Sequence, residues 1–149
     1  MPAVLWLFCL VNLVIGTGAF VLGGILAPLA GDLGISVATA GQAMTAYALS
    51  TALLAPLVLL ATGHWPRKRA LLLALLLLAA GNVLCALAES FSALLIGRVL
   101  MGLGAIFTSI SAGIAVATAL PAQRGKALGF VFLGISLSYV VGVPLGAWL

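Results

Sequence analysis

The chain opens with a run of 31 residues, Met1 to Gly31, that carries no charged side chain. Similar apolar runs recur along the sequence, and the stretch Ala70–Leu78 contains only alanine and leucine. A helix needs about 20 mainly apolar residues to cross the ~30 Å of a bilayer core. Strands of a membrane barrel would instead alternate apolar and polar residues. The sequence therefore predicts an all-α membrane protein.

The charge content supports the same class. Only 5% of the 149 residues are Asp, Glu, Lys or Arg, whereas 65% are hydrophobic. A soluble domain carries roughly 25% charged residues, and a domain of this length has too much surface to bury so many apolar side chains. The net charge of +4 comes from scattered residues that form no patch, so we expect the lipid bilayer, and not nucleic acid, as the partner.

Five segments are long and apolar enough to be transmembrane helices, joined by short connections. We expect an antiparallel bundle without a soluble domain. The predicted spans cover residues 4–30, 38–62, 70–88, 91–120 and 127–149.

The distribution of basic residues predicts the orientation. Arg67, Lys68 and Arg69 fall in the second connection, and Arg124 and Lys126 fall in the fourth, so five basic residues lie on one side. Basic loops stay in the cytoplasm. We therefore predict a multi-pass protein of the cytoplasmic membrane with a cytoplasmic N-terminus.

No set of residues typical of an enzyme or a metal centre is present. Cys9 and Cys85 lie inside apolar runs, where a thiol is usually a small packing residue, and His64 is the only histidine. There is no HExxH motif, no phosphate-binding loop and no pair of acids within a span. The sequence predicts neither an enzyme nor a cofactor.

Arg98 is the most informative polar residue. It lies seven residues after Phe91 in the fourth span, which is about 10 Å along a helix. An arginine near the membrane centre costs at least ~2.5–3.5 kcal/mol, so it is expected to face a cavity or a polar partner. The alternative is a structural arginine that bonds backbone carbonyls, or one that snorkels outward to the membrane surface.

Uncharged polar side chains mark further candidates for a substrate or coupling cavity. These are Asn12, Gln42, Tyr47 and Tyr139, all within predicted spans. The alternative is that they form hydrogen bonds between helices.

Small residues recur at every fourth position in three spans, and in the first span they are Ala19, Gly23 and Ala27. Two further sets lie in the fourth and fifth spans. This spacing keeps them on one helical face, where they allow close packing or a sliding contact. The two sets are Ala105, Ser109, Gly113 and Ala117 in the fourth span, and Gly134, Ser138, Gly142 and Gly146 in the fifth. Pro144 interrupts the second set and predicts a bendable outer half of the fifth helix.

An ordered set of short segments carries a resemblance to a known family. The segments are 16–27, 32–36, 40–42 and 45–49 near the start, 67–72 in the second connection, 98–104 in the fourth span and 142–146 in the fifth. In this order they resemble the N-terminal part of the major facilitator superfamily, in particular its drug- and sugar-efflux branch of proton antiporters, which includes the arabinose-efflux-like permeases.

The resemblance implies a set of roles. Arg98 would line the central cavity and help couple protonation to substrate. Gly102 belongs to the fourth-span signature, and Gly142, Pro144 and Gly146 would form a bending, tightly packed gate. Arg67, Lys68 and Arg69 correspond to the basic half of the loop signature, which also takes part in gating.

Two departures from the family pattern affect these roles. The acid and the second glycine of the loop signature would fall at Gly63 and Pro66, so its acid–base contact cannot form in the usual way. Ala19 stands where members of this branch often carry a glutamate, so it is open whether protons drive this protein.

Family members have six spans in each half, whereas this sequence reaches only five. We therefore expect a truncated N-terminal half that needs the sixth span and a C-terminal half. The leading functional hypothesis is efflux of a small molecule, such as a drug or sugar, by alternating access. The alternative is a membrane scaffold or partner subunit that does not transport.

Overall fold

The computed structural model describes residues 3–148, without the side chains of residues 143, 146 and 147. That part of the chain is helical and contains no strand. The helices are α1 (Ala3–Asp32), α2 (Val37–Leu49), a π-helix (Ser50–Leu54), α3 (Ala55–Ala61), α4 (Arg67–Ala86), α5 (Phe91–Gly104), α6 (Ile106–Thr118), a short 3-10 helix (Pro121–Gln123) and α7 (Arg124–Trp148).

Five helical stretches are long and apolar enough to cross a membrane. The predicted all-α membrane fold with about five transmembrane helices is therefore confirmed. We number the stretches as spans 1 to 5. They cover Ala3–Asp32, Val37–Ala61, Arg67–Ala86, Phe91–Thr118 and Pro121–Gly142, and α7 continues beyond the last of these bounds to Trp148.

The helices start earlier than predicted at the basic connections. The α4 helix begins at Arg67, three residues before the predicted start of the third span, so Arg67, Lys68 and Arg69 form its first turn. Pro66 stands at the N-cap, where its missing N–H costs nothing. Likewise α7 begins at Arg124, three residues before the predicted start. The basic side chains remain exposed at one end of the bundle.

At the end of the bundle opposite to the basic residues, two serines cap the starts of α2 and α5, and a glycine forms a turn. The Ser36 hydroxyl accepts a hydrogen bond from the Thr39 N–H at 3.0 Å, and the Ser90 hydroxyl accepts one from the Ala93 N–H at 3.3 Å. Gly34 has φ = 62°, a left-handed conformation that glycine adopts without a steric cost. The chain therefore reverses direction between span 1 and span 2 within a few residues.

Two helix pairs form the closest contacts. In the first pair, α7 lies along α1 with glycines at the contact: a Cβ placed on Gly134 would be 2.8 Å from the Leu13 nitrogen. In the second, a Cβ on Gly104 of α5 would be 2.8 Å from the nitrogen of Leu78 in α4. Small residues at helix contacts in membranes let the backbones approach closely. The backbones of α1 and α7, and those of α4 and α5, are packed in this way.

Candidate functional site

A cavity of about 280 Å³ lies between spans 1, 2, 4 and 5, close to the middle of each. We call it the central cavity. Its lining residues are Ile15, Gly16, Ala19 and Phe20 of α1, Tyr47 and Thr51 of span 2, Ala105, Thr108 and Ser109 of span 4, and Ile135 of α7.

The backbone of span 2 departs from α-helical geometry beside this cavity. Residues Ser50–Leu54 form a π-helix, in which the Ala55 N–H bonds back to the Ser50 carbonyl. Pro56 lies two residues after the π-helix. In a regular α-helix it would have no N–H to donate to the residue 52 carbonyl, and its ring would clash with that carbonyl. A widened turn relieves that clash, and such turns in α-helices are frequent at functional sites.

Span 4 is interrupted at the same level. A turn at Ala105 separates α5 from α6, and the Ala105 N–H is shared between the Met101 and Gly102 carbonyls at 3.1 and 3.2 Å. Two of the four walls of the cavity therefore have irregular backbone at their midpoint.

Spans 2 and 4 touch at Gly102. A Cβ on this residue would lie 2.7 Å from the Ser50 Cβ, so only glycine fits. The Ser50 hydroxyl donates to the Val99 carbonyl at 2.7 Å, and the Thr51 hydroxyl donates to the Tyr47 carbonyl at 2.9 Å. Gly102, named from the sequence as a gating residue, is thus the point at which these two irregular spans are in contact.

The lining of the cavity is uncharged and amphipathic. Phe20 and Tyr47 contribute aromatic rings, while Thr51, Thr108 and Ser109 contribute hydroxyl groups. Within the described residues, the Ser109 hydroxyl has no hydrogen-bond partner. Sites for small molecules typically combine such apolar walls with a few polar groups that fix orientation.

Asn12 lies behind the cavity wall and is hydrogen-bonded to one of its lining residues, Thr108. Its side chain is fully buried, and its Oδ1 accepts a hydrogen bond of 2.5 Å from the Thr108 hydroxyl. Its Nδ2 donates to the Phe8 carbonyl at 2.9 Å and to the Ser111 hydroxyl at 3.4 Å. Asn12 therefore orients Thr108, a lining residue, and is not itself part of the lining.

Arg98 is buried against α1. Its side chain is 3% exposed, and one terminal nitrogen donates to the Gly18 carbonyl at 3.1 Å and to the Ala19 carbonyl at 3.5 Å. The Nε atom is buried and has no partner within the described residues. Arg98 does not line the central cavity, but it bonds the backbone of Ala19, which does.

The remaining predicted cavity residues differ in position. Tyr47 lines the cavity, as noted above. Tyr139 is 55% exposed and stacks on Phe20 with ring centroids 3.7 Å apart, so it extends the aromatic wall outward. Gln42 is exposed on α2, and it is not among the residues of the cavity wall.

The predicted gate in the fifth span is partly described. A Cβ on Gly142 would lie 3.2 Å from the Thr17 Cα, so the residue packs closely on α1. Pro144 lies inside α7, which continues to Trp148. The surroundings of Gly146 and the predicted span end at residue 149 fall outside the described residues.

Sequence reasoning missed several lining residues. Phe20 carried no signal, because an isolated phenylalanine in an apolar run is typical of any span. Thr51 and Thr108 are single hydroxyls whose importance comes from two helices meeting at one depth. Ser109 could have been found, because it belongs to the row of small residues in span 4.

No group of three or more His, Cys, Asp or Glu side chains in residues 3–148 is placed to hold a metal ion. The residues of the cavity wall carry hydroxyl groups and aromatic rings. These groups can bind an uncharged organic molecule by hydrogen bonding and stacking.

The comparison with protein families gives one match that covers nearly the whole chain. Residues 8–149 match the description Major Facilitator Superfamily.

Individual relatives agree with this match. A chloramphenicol resistance protein of Streptomyces lividans is 35% identical over 154 residues, covering 100% of this chain and 39% of the relative. An uncharacterized MFS-type transporter of Bacillus subtilis is 32% identical over 143 residues, covering 95% and 37%. A chloramphenicol efflux pump of Mycobacterium tuberculosis is 36% identical over 125 residues, covering 83% and 30%. The chain thus spans less than two fifths of the length of these relatives.

Proposed function

The chain belongs to the major facilitator superfamily, and on that premise we propose that it forms part of an efflux transporter whose small, uncharged substrate binds in the central cavity. The membership confirms two coarser predictions, a multi-pass membrane protein and a protein that is not an enzyme. Substrate, coupling and mechanism belong to the proposal.

The observation that carries the proposal is the central cavity itself. Four spans contribute to it near the middle of their lengths, and transporters of this architecture bind their substrates near the bilayer midplane. Its aromatic rings and hydroxyls, without a lining charge, suit a molecule that is neutral and partly polar. The printed names of two relatives refer to chloramphenicol, which we take as the probe.

Alternating access is the proposed mechanism. A second bundle, supplied by the rest of the transporter, would cover the open side of the cavity, and rocking of the two bundles would expose the site to each side of the membrane in turn. The break at Ala105 and the π-helix at Ser50–Leu54 support this proposal, because such interruptions are where membrane helices bend. Gly142, Pro144 and Gly146 are proposed to seal one gate, and the basic turn at the start of α4 the other.

Arg98 is proposed as the contribution of this chain to coupling. Among the described residues no Asp or Glu lies in the interior of a span: Asp32 is the last residue of span 1, and Glu89 lies between α4 and α5. If protons drive transport, the proton-carrying group must therefore come from outside this part of the chain. Arg98 would interact with that group through its Nε, which has no hydrogen-bond partner among the described residues.

Efflux of labelled chloramphenicol tests the proposal. The product of the complete reading frame would be expressed in a drug-sensitive bacterium, and accumulation would be measured with and without de-energisation. The Ser109→Leu variant fills the central cavity and should lower efflux by about tenfold or more, because overpacking a formed site costs roughly 1–3 kcal/mol.

Ser136→Leu is the matched control. This serine is exposed in the middle of α7 and lies outside the cavity wall, so the same change should leave efflux near the parent level. Equal efflux by the two variants would exclude the central cavity as the substrate site. Energy-independent accumulation in the parent would contradict efflux of this probe altogether.

A further inference from the structure

A second cavity lies at the basic end of the bundle, away from the central cavity. Its volume is about 330 Å³, and it is formed where α1 begins, α6 ends and α7 begins. We call it the end pocket. Its lining residues are Leu5, Ala115, Thr118, Ala119, Leu120, Gln123, Lys126 and Ala127.

The end pocket is apolar in its depth and cationic at its mouth. Leu5, Ala115 and Ala127 are buried side chains of its inner wall, whereas Gln123 and Lys126 are exposed. An occupant must therefore combine an apolar part with a group that a lysine binds. A free inorganic anion would satisfy only the second requirement.

The charge around the pocket is uniformly positive. Five of the six basic residues of the chain lie in the first turns of α4 and α7, and Arg124 precedes Lys126 by two residues. Both acids, Asp32 and Glu89, lie at the opposite ends of the helices. Neither Asp32 nor Glu89 is therefore placed to neutralise Lys126.

An aromatic contact indicates the depth of the pocket in the membrane. Trp6 follows the lining residue Leu5, is 57% exposed, and packs edge-on against Phe130 with centroids 4.7 Å apart. Exposed tryptophans are enriched at the level of the lipid headgroups. The mouth of the pocket thus lies where phosphates of the bilayer are found.

From these observations we propose that the end pocket binds an anionic phospholipid, with the headgroup phosphate at Lys126 and the glycerol and upper acyl region against the apolar wall. Basic pockets between transmembrane helices are suited to anionic headgroups. Neither the positive charge of the pocket nor its depth depends on whether the protein transports.

Fluorescence quenching of Trp6 tests this site. The protein with Trp65→Phe and Trp148→Phe would be placed in vesicles that contain a small fraction of lipid with brominated acyl chains, either phosphatidylglycerol or phosphatidylcholine. We expect the anionic lipid to associate about fivefold more strongly, which corresponds to the ~1 kcal/mol that one basic residue contributes near a membrane surface.

Two variants and one addition decide the outcome. Lys126→Gln should remove most of the fivefold preference, whereas Lys68→Gln, at the same end but on α4, should retain it. Inorganic phosphate in the buffer should not compete. Equal quenching by the two lipids in the parent, equal losses in the two variants, or competition by phosphate would each overturn the proposal.

Discussion

At the scale of single residues, Arg98 shows how a buried cation can be held without an acid. Its two hydrogen bonds reach the carbonyls of Gly18 and Ala19 on α1, which already belong to a helix. Their additional lone pairs can accept the guanidinium donors. The charge is therefore solvated by α1 carbonyls, and its Nε–H is left without a hydrogen bond within the described residues.

The variant Arg98→Ala tests whether that remaining capacity is used. Efflux in membrane vesicles should be abolished, while the amount of protein in the membrane should be unchanged or higher, because the ~2.5–3.5 kcal/mol cost of inserting an arginine disappears. Arg124→Ala, which removes an exposed arginine at the start of α7, is the control and should transport normally. Unchanged efflux by Arg98→Ala would leave this residue a structural role only.

At the scale of helices, the two rows of small residues have different environments. In α7, Gly134 and Ser138 pack against α1, with the Ser138 side chain directly over Gly16. In α6, Ser109 is exposed, and a Cβ added to Gly113 would meet no atom within 4 Å among the described residues. The same spacing thus serves as a helix contact in one span and as an open face beside the central cavity in the other.

Because the row of small residues in α7 packs against α1, two glycines of α7 should respond differently to substitution. Gly134→Ala should lower the thermal unfolding midpoint in detergent by several degrees, because its Cβ would overlap the α1 backbone at a cost of roughly 1–3 kcal/mol. Gly129→Ala should leave it unchanged or raise it, since that position is open and alanine favours a helix by about 1 kcal/mol. Equal midpoints would show that α1 can move aside.

The sequence was sufficient for the spans and for some of their contacts. Apolar length and the absence of charge identify helices that must lie in lipid. Small residues four apart predict a packing face on both α6 and α7, and the described residues show such close packing for α7. It was insufficient for the π-helix at Ser50–Leu54, because Pro56 permits either a kink or a widened turn. It also left undecided whether Arg98 or Tyr47 lines the cavity, which depends on how α1, α2 and α5 rotate against one another.

At the scale of the whole molecule, charge asymmetry gives the bundle a direction. Arg67, Lys68 and Arg69 lie at one end together with Arg124, and the acids lie at the other. Basic ends are retained in the cytoplasm. This orientation would place the end pocket in the inner leaflet and the connection that holds Glu89 outside the cell.

Cysteine labelling in intact cells tests that direction. With Cys9 and Cys85 replaced by alanine, a membrane-impermeant maleimide should label Glu89→Cys and should fail to label His64→Cys until the cells are opened. Both positions are exposed, and neither change removes an arginine or lysine, so the positive charges that set the orientation are retained. Labelling of His64→Cys from outside would reverse the proposed topology.

Within the part of the chain that the structure describes, the buried guanidinium of Arg98 bonds only carbonyls of α1, and its charge affects the energetics of the protein when the membrane carries a voltage. A full positive charge held inside the low-dielectric layer experiences the electric field, which is worth about 2.3 kcal/mol per 100 mV for a complete crossing. If span 4 shifts Arg98 through part of that layer, the step is electrogenic even when the cargo is neutral. The resting potential would then favour one conformation of the bundle over the other.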